Sequence, residues 1–311
     1  MRMRIAVTGR HGQVVRSLIE RGADAGIKIL PLARPEVDLG CPEMIPAALS
    51  VLQADIVVNA AAFTAVDLAE SQSELAFAIN HRGAEAVAAA AASLKIPVVQ
   101  LSTDYVFDGT LDRPYVETDP VNAMNVYGQS KLAGEQAVAS TQADHVILRT
   151  AWIYSPFGKN FVRTMLSLAD QRPEVSVVAD QLGAPTSALD IADSILGVAR
   201  QLLERPSAPE LRGVFHMTGA ADASWADFAE GIFAASKAMG GPVARVVRIP
   251  TSAYPTAAGR PANSRLDCSK LAATYGLRLP PWRQSLLGCV QHLLQERRAS
   301  LKSSPSAFPR S

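Results

Sequence analysis

Hydrophobic and polar positions follow two rhythms along the first half of this chain. Short apolar runs fall at residues 4–7, 27–32, 55–59, 98–101 and 146–149, lengths that suit strands buried on both faces. Between them lie longer segments with helical spacing. Val14, Val15, Leu18 and Ile19 share one face of such a segment, and Arg16, Glu20 and Arg21 share the other. A long helix is expected from about Ser73 to Leu94, and another opens at Tyr127. Strands and helices that alternate at these lengths predict an α/β fold with a doubly wound, parallel sheet of the Rossmann type. Pro31 sits awkwardly in the second strand, because it has no N–H for the ladder.

Beyond Tyr154 the regularity falls. Residues 175–178 and 214–217 read as further strands, and 190–203 and 225–239 as helices. The expected organisation is a dinucleotide-binding domain over 1–153 and a smaller, partly interleaved substrate lobe over 154–296, with some segments returning to the first domain. Residues 297–311, rich in Ser, Pro and Arg, read as a disordered tail. No internal repeat is evident.

Composition narrows the function classes. With 48% hydrophobic and 19% charged residues and a net charge of +1, nothing favours nucleic acid or an anionic membrane surface as a partner. Cys41, Cys268 and Cys289 are too far apart to chelate as a pair, and read as reduced thiols of a cytoplasmic protein. Ile5-Ala6-Val7 is too short for a signal-peptide core. The alanine-rich run from Ala84 to Ala92 is broken by Glu85, so it reads as a helix under a sheet. The oligomeric state stays open, a homodimer included.

Candidate chemistry gathers at strand ends. The first strand meets Thr8-Gly9-Arg10-His11-Gly12-Gln13 and then a helix, an order that presents backbone N–H groups to a pyrophosphate. Gly9 is expected to make the turn and Gly12 to let a phosphate approach. Val15 stands where a third glycine would give close helix–strand packing, which predicts a slightly displaced helix. After the second strand, Ala33-Arg34 stands where an acid would grip a ribose 2′-hydroxyl. Arg34 therefore suits a 2′-phosphate, or is simply a surface cation. Tyr127 and Lys131 are one helical turn apart on the same face, and a nearby ammonium is expected to lower the pKa of the phenol. Ser102 and Thr103 end the fourth strand, where a hydroxyl can hold a carbonyl oxygen near Tyr127. Those parts suffice for proton transfer at a C=O/CH–OH centre.

Several motifs in order carry a resemblance. Thr8-Gly9-x-x-Gly12, Asn59-Ala60-Ala61-Ala62, Ser102-Thr103-Asp104-Tyr105-Val106-Phe107-Asp108-Gly109 and Tyr127-Gly128-x-Ser130-Lys131 resemble the extended short-chain dehydrogenase/reductases. Within them Arg149-Thr150-Ala151-Trp152-Ile153-Tyr154, Asp180-Gln181-x-Gly183-x-Pro185-Thr186 and Arg260-Pro261-x-Asn263-Ser264-x-Leu266 resemble the dTDP-4-dehydrorhamnose reductase family, over about residues 4–295. Val15 and Phe63 depart from the pattern. The resemblance implies NADPH as hydride donor, with NADH tolerated, and reduction of the C4 ketone of a nucleotide-linked 4-keto-6-deoxy sugar for cell-surface polysaccharide. It makes Tyr127 the proton donor, Lys131 the holder of the nicotinamide ribose and Thr103 the partner of the reacting oxygen. Gly9 and Gly12 keep their place at the pyrophosphate. Gly12, Gln13, Val14, Asp38, Leu39, Ala62, Phe63 and Thr64 would line the coenzyme, and Thr103, Asp104 and Trp152 would contact the sugar. Trp152 reads equally as a core tryptophan, and Arg260 either meets a diphosphate or forms a surface ion pair. No acidic cluster aligns with a metal site, so no metal is expected. Two rival functions remain: a nucleotide-sugar epimerase or dehydratase, and a non-catalytic coenzyme-binding regulatory subunit.

Overall fold

The computed structural model describes residues 2–303. Its centre is a six-stranded parallel sheet made by β1 (Arg4–Thr8), β2 (Lys28–Leu32), β3 (Ile56–Asn59), β4 (Val98–Thr103), β5 (His145–Thr150) and a late strand, Gly213–His216. The spatial order is β2, β1, β3, β4, β5 and then the late strand. The order reverses at β1, so the carboxyl ends of β1 and β3 border a crevice open to a ligand. Strands β3 and β4 are buried along their whole length, as their unbroken apolar runs require. β2 is an edge strand, and that placement resolves Pro31, which sits opposite Val7 without interrupting a central ladder.

Helices cover both faces of the sheet. On one side lies α1 (Gln13–Asp24), whose Val14, Val15 and Leu18 enter the core as expected. Ile19 does not: it is 41% exposed. Gly22 turns inward in its stead, where an added Cβ would come within 2.5 Å of Ile29. The same face receives the late helix Ala188–Glu204 and Leu271 and Tyr275 from Ser269–Tyr275. These, with Gly213–His216, are the segments that return from the second half. The sixth strand pairs in parallel with β5, Val214 opposite Ile147.

On the other face lie α2 (Ile45–Ser50), α3 (Val66–Ser71), α4 (Ser73–Phe77), α5 (Gly83–Leu94) and α6 (Val126–Thr141). The helix expected over 73–94 is not uniform. A π-helical turn, Ala78–Arg82, joins α4 to α5; such turns widen the backbone by one residue and re-aim a side chain. Here that side chain is Asn80. The widened turn also meets α6 at close range: an added Cβ at Gly134 would lie inside contact distance of the Asn80 carbonyl oxygen, and one at Gly128 would run into the Tyr105 carbonyl. α6 starts at Asn125, whose side chain accepts from the Gly128 N–H at 2.8 Å, a cap worth about 1 kcal/mol. Its middle is fixed by Glu135, which receives hydrogen bonds from both Nε and Nη2 of buried Arg149 of β5, the shortest at 2.7 Å.

The second lobe has its own core. Tyr154, Val162, Leu166, Phe228, Ile232, Trp282 and Val290 pack together there. Tyr154 comes from the short strand Ile153–Tyr154 and the others from α7 (Phe161–Ala169) and the helices Trp225–Ala238 and Trp282–Ser303, beside a two-stranded parallel sheet of Glu174–Val178 and Arg245–Ile249. The last helix corrects the expected tail. Residues 297–303 continue it, with Arg297 paired to Asp170 at 2.7 Å and Arg298 donating to the Met239 carbonyl. These tertiary contacts outweigh the polar composition that suggested disorder; residues 304–311 lie outside the described residues. Among the described residues no helix is long and apolar enough to cross a membrane.

The seating of α6 yields a test. Gly134→Ala would force a methyl against the backbone of the π turn, so we expect a loss of about 2 kcal/mol or more. Chemical denaturation would show it as a lower midpoint with an unchanged slope. An unaltered midpoint would mean that α6 does not rest on this contact.

Candidate functional site

The carboxyl edge of the sheet collects the expected residues. Gly9, just past β1, has φ 95°, a left-handed conformation open to glycine. Gly12 has an ordinary φ of −64° and serves as the N-cap of α1 without a side-chain cap bond. A Cβ on Gly12 would meet only Val15, at 4.0 Å, so the chain itself does not demand glycine there. What glycine preserves is an open approach to the uncapped N–H groups of Gln13 and Val14. That opening fits a pyrophosphate. The Gln13 carbonyl oxygen accepts from Ser17, its side-chain oxygen accepts from Ser155 of the second lobe at 2.8 Å, and Val14 is buried beneath the turn.

A buried polar chain runs behind this turn. Thr8 Oγ1 donates to Asn59 Oδ1 at 2.6 Å, Asn59 Nδ2 donates to Gln100 Oε1 at 2.8 Å, and Gln100 Nε2 donates to the Leu101 carbonyl at 2.7 Å. Thr8 Oγ1 also accepts from the N–H groups of Ala60 and Ala61, both at 3.0 Å. The segment carrying Ala62, Phe63 and Thr64 is thereby held open at the end of β3. Asn80 completes the support: its Oδ1 accepts from Phe63 N at 2.8 Å, and its Nδ2 donates to Phe63 O and to Ser130 Oγ.

Arg34 and Asp38 lie past β2, on the rim of the same crevice. Arg34 is 81% exposed, and its nearest carboxylate oxygen, on Asp38, is 3.9 Å away, a weak pairing in water. Asp38 also accepts from Gly40 N. Leu39 is buried, and its carbonyl packs against Gly83, so any coenzyme contact from it is through its edge.

Thr103, Asp104, Tyr127 and Lys131 are brought together where β4 meets α6. Thr103 Oγ1 donates to Asp104 Oδ1 at 2.9 Å and accepts from Tyr105 N at 3.2 Å. Burial pushes the Asp104 carboxyl up to about 6, against the hydrogen bond from Thr103, and its Oδ2 has no partner. Burial likewise pushes the Tyr127 phenol up to about 12, with Thr103 opposing and the Asp104 charge adding to the rise. This corrects the expected lowering. Lys131 is itself buried, its Nζ donates to the Leu101 carbonyl at 2.7 Å, and burial brings its pKa down to about 8, with Glu135 opposing. Desolvation penalises phenolate and ammonium alike, and here it is the largest influence on both groups. Tyr127 therefore holds its proton at neutral pH. Tyr105 packs edge-on against the Tyr127 ring, centroids 5.8 Å apart.

Trp152 follows β5 with φ 45°, a backbone that costs a bulky residue about 1–2 kcal/mol. Its indole stacks on Trp225, so the core and ligand readings meet in one partly buried side chain. Arg260 is an ion pair: it donates to Asp67 of α3 at 2.8 Å. The loop before it is tied to the start of α6 by Asn125, which donates to Gly259 O.

Sequence reasoning missed Asn80, Gln100, Asn125 and Trp225. Asn125 left a signal, because Asn just before a helical segment is a favoured N-cap. Gln100 pairs with Asn59 on another strand, Asn80 with Phe63 and Ser130, and Trp225 with Trp152 across lobes; these left none.

The buried carboxyl gives a prediction with a definite sign. A raised carboxyl pKa means that the folded state binds more protons than the unfolded state between about pH 4 and 6, so stability falls as pH rises through that window and the penalty persists above it. It is on the order of 3 kcal/mol. Asp104→Asn should raise the melting temperature at pH 7.5 and leave it nearly unchanged at pH 3.5. An equal shift at both would trace the effect to packing instead of charge.

Comparisons with known proteins bear on this geometry. A family model described as the RmlD substrate binding domain matches residues 3–295. The chain is 49% identical to the dTDP-4-dehydrorhamnose reductase of Sinorhizobium fredii, over 94% of this chain and 99% of that protein. A crystal structure of a dTDP-4-dehydrorhamnose reductase from Clostridium acetobutylicum superposes with TM-score 0.86 at 36% identity, covering 94% of this chain and 100% of that one. Another, from Bacillus anthracis in complex with NADP, gives TM-score 0.85 at 32% identity, covering 93% and 99%.

Proposed function

Because the chain belongs to the dTDP-4-dehydrorhamnose reductase family, we propose that it reduces the C4 ketone of dTDP-4-dehydro-L-rhamnose to give dTDP-L-rhamnose, with NADPH. The observation that carries this reading is the grouping of Thr103, Tyr127 and Lys131 beside an open glycine turn. The NADP of the Bacillus anthracis structure supports the choice of coenzyme, and NADPH would supply the hydride when bound.

The chain's own residues do the rest. The N–H groups of Gln13 and Val14, reached past Gly9 and Gly12, hold the pyrophosphate. Arg34 meets the 2′-phosphate, its planar fork suited to phosphate oxygens, while Asp38, Leu39, Ala62, Phe63 and Thr64 flank the adenosine half. Thr103, turning its hydroxyl proton from Asp104 to the ketone oxygen, orients it. As the oxygen gains negative charge, Tyr127 passes it the phenolic proton. A phenol kept protonated by burial suits a reduction, because it must still hold its proton when the hydride arrives. Lys131 faces the nicotinamide ribose, and its charge stabilises the phenolate left behind. Asp104 and Trp152 contact the sugar, and Arg260, already paired with Asp67, stands beside the diphosphate. The lobe over 154–296, less its returning segments, is the substrate lobe.

The decisive experiment follows NADPH absorbance with dTDP-4-dehydro-L-rhamnose. Wild type should oxidise one NADPH per ketone reduced. Tyr127→Phe should bind coenzyme normally and lose ~10²–10⁴ in turnover, the usual worth of a positioned acid. Undiminished turnover in that variant would remove Tyr127 from the chemistry.

Arg34 sets the coenzyme preference. A solvent-exposed charge-assisted contact contributes about 1.5 kcal/mol, roughly tenfold. Arg34→Ala should therefore cut the ratio of kcat/KM for NADPH over NADH by about that factor, with NADH still accepted. A ratio that stays put would make Arg34 a plain surface charge.

A further inference from the structure

Trp152 is held by an aromatic partner that no part of the chemistry above uses. Its indole lies face to face with that of Trp225, ring centroids 3.6 Å apart and planes 8° from parallel. Trp152 comes from the end of β5, where the preceding Thr150 is in register with Thr103. Trp225 is the first residue of its helix in the second lobe. The stack therefore joins the edge of the sheet that carries Thr103 to the core of the other lobe. Trp225 is braced in turn by Phe161, whose centroid is 4.8 Å away, and Phe161 stacks on Phe228.

Two features indicate that the orientation of Trp152 is imposed on it. Its φ of 45° is a conformation that a bulky side chain keeps only where its surroundings over-determine it. Gly183 lies against the same indole, so close that any side chain there would collide with the ring. Gly183 also pairs across a short antiparallel ladder with Ala223, two residues before Trp225. Stack and glycine thus form one clamp, built from two adjacent short strands of the second lobe, around a single ring from the first domain.

We propose that Trp225 is a positioning residue for sugar selection: by stacking on Trp152 it fixes the angle at which that indole meets the sugar ring of the nucleotide-sugar substrate. The proposal rests on the reading of Trp152 as a sugar contact. Trp225 need not touch substrate. It removes the freedom of Trp152 to turn away, so the ordering cost is met in the fold and not on binding. A sugar that fits the fixed wall is then selected over one whose substituents need the wall to move.

The chain has three tryptophans, and the third, Trp282, is buried edge-on against Phe228, which makes the stack spectroscopically accessible. Coupled transitions of two parallel indoles should give wild type an exciton couplet in circular dichroism, absent from Trp225→Phe and Trp225→Leu. Trp225→Leu should raise the apparent KM for dTDP-4-dehydro-L-rhamnose about three- to tenfold, while NADPH affinity and kcat stay within about twofold. Trp225→Phe keeps a ring that can stack, and should hold the sugar KM within about twofold of wild type. Trp152→Leu separates the two readings. If it raises the sugar KM and Trp225→Leu does not, the positioning role is overturned alone. If neither changes KM, the sugar contact of Trp152 fails and takes the proposal with it. The proposal would be overturned by a Trp225→Phe variant no better than Trp225→Leu, or by a Trp225→Leu variant that loses coenzyme affinity together with sugar affinity.

Discussion

The close approach of α6 to the backbone beneath it is the constraint on which the rest of the site depends. Two glycines permit it, Gly128 against the Tyr105 carbonyl and Gly134 against the Asn80 carbonyl. A helix seated that deeply brings Lys131 within 2.7 Å of the Leu101 carbonyl and sets Tyr127 over the end of β4. Raised by the width of one methyl group, the same helix would leave Lys131 short of the Leu101 carbonyl and Tyr127 short of Thr103. The Asn125 cap fixes where α6 starts, and the buried Glu135–Arg149 pair fixes its rotation. Removing either partner of that pair would strand a charge in the interior, which is far costlier than the pair is stabilising.

Beneath the helix, polar groups are buried in pairs. The chain from Thr8 through Asn59 and Gln100 to Leu101 crosses three strands, and its last acceptor also receives Lys131. The turn after β1, the opening after β3 and the ammonium on α6 therefore share one hydrogen-bonded frame. Such a frame rigidifies because each member loses a full bond if it moves. Not every buried group there is so matched: Ser102 Oγ, Thr150 Oγ1 and Asp104 Oδ2 have no partner, and the Asp104 carboxyl is pushed up to about 6. A buried acceptor without a partner is costly to the fold.

Electrostatics in the site run opposite to the simplest reading of a Tyr-x-x-x-Lys pair. The ammonium stabilises a phenolate only if neither group pays more for leaving water than it gains from the other. In this fold both are buried, and both shift toward their neutral forms. The arrangement favours a phenol that gives up its proton late, as charge appears on a neighbouring oxygen.

Periodicity alone specifies the layered α/β plan, since apolar runs of strand length separated by helical spacing leave few other ways to bury both faces of a sheet. The sequence also specifies the local sites: the Gly9 turn and the pair on α6 depend on spacing within a few residues. Contacts between distant segments settle the rest. Ile19 faces outward because Gly22 gives α1 a closer approach to β2. Residues 297–303 are helical because Asp170 and the Met239 carbonyl wait for Arg297 and Arg298. Gly213–His216 joins the first sheet because β5 offered an open edge. Trp152 became half of a stack because Trp225, 73 residues later, reaches it from another lobe. Short-range order is written in spacing and periodicity; the protonation of Tyr127 and the partner of Trp152 depend on burial and on contacts between distant segments, which exist only once the chain has closed on itself.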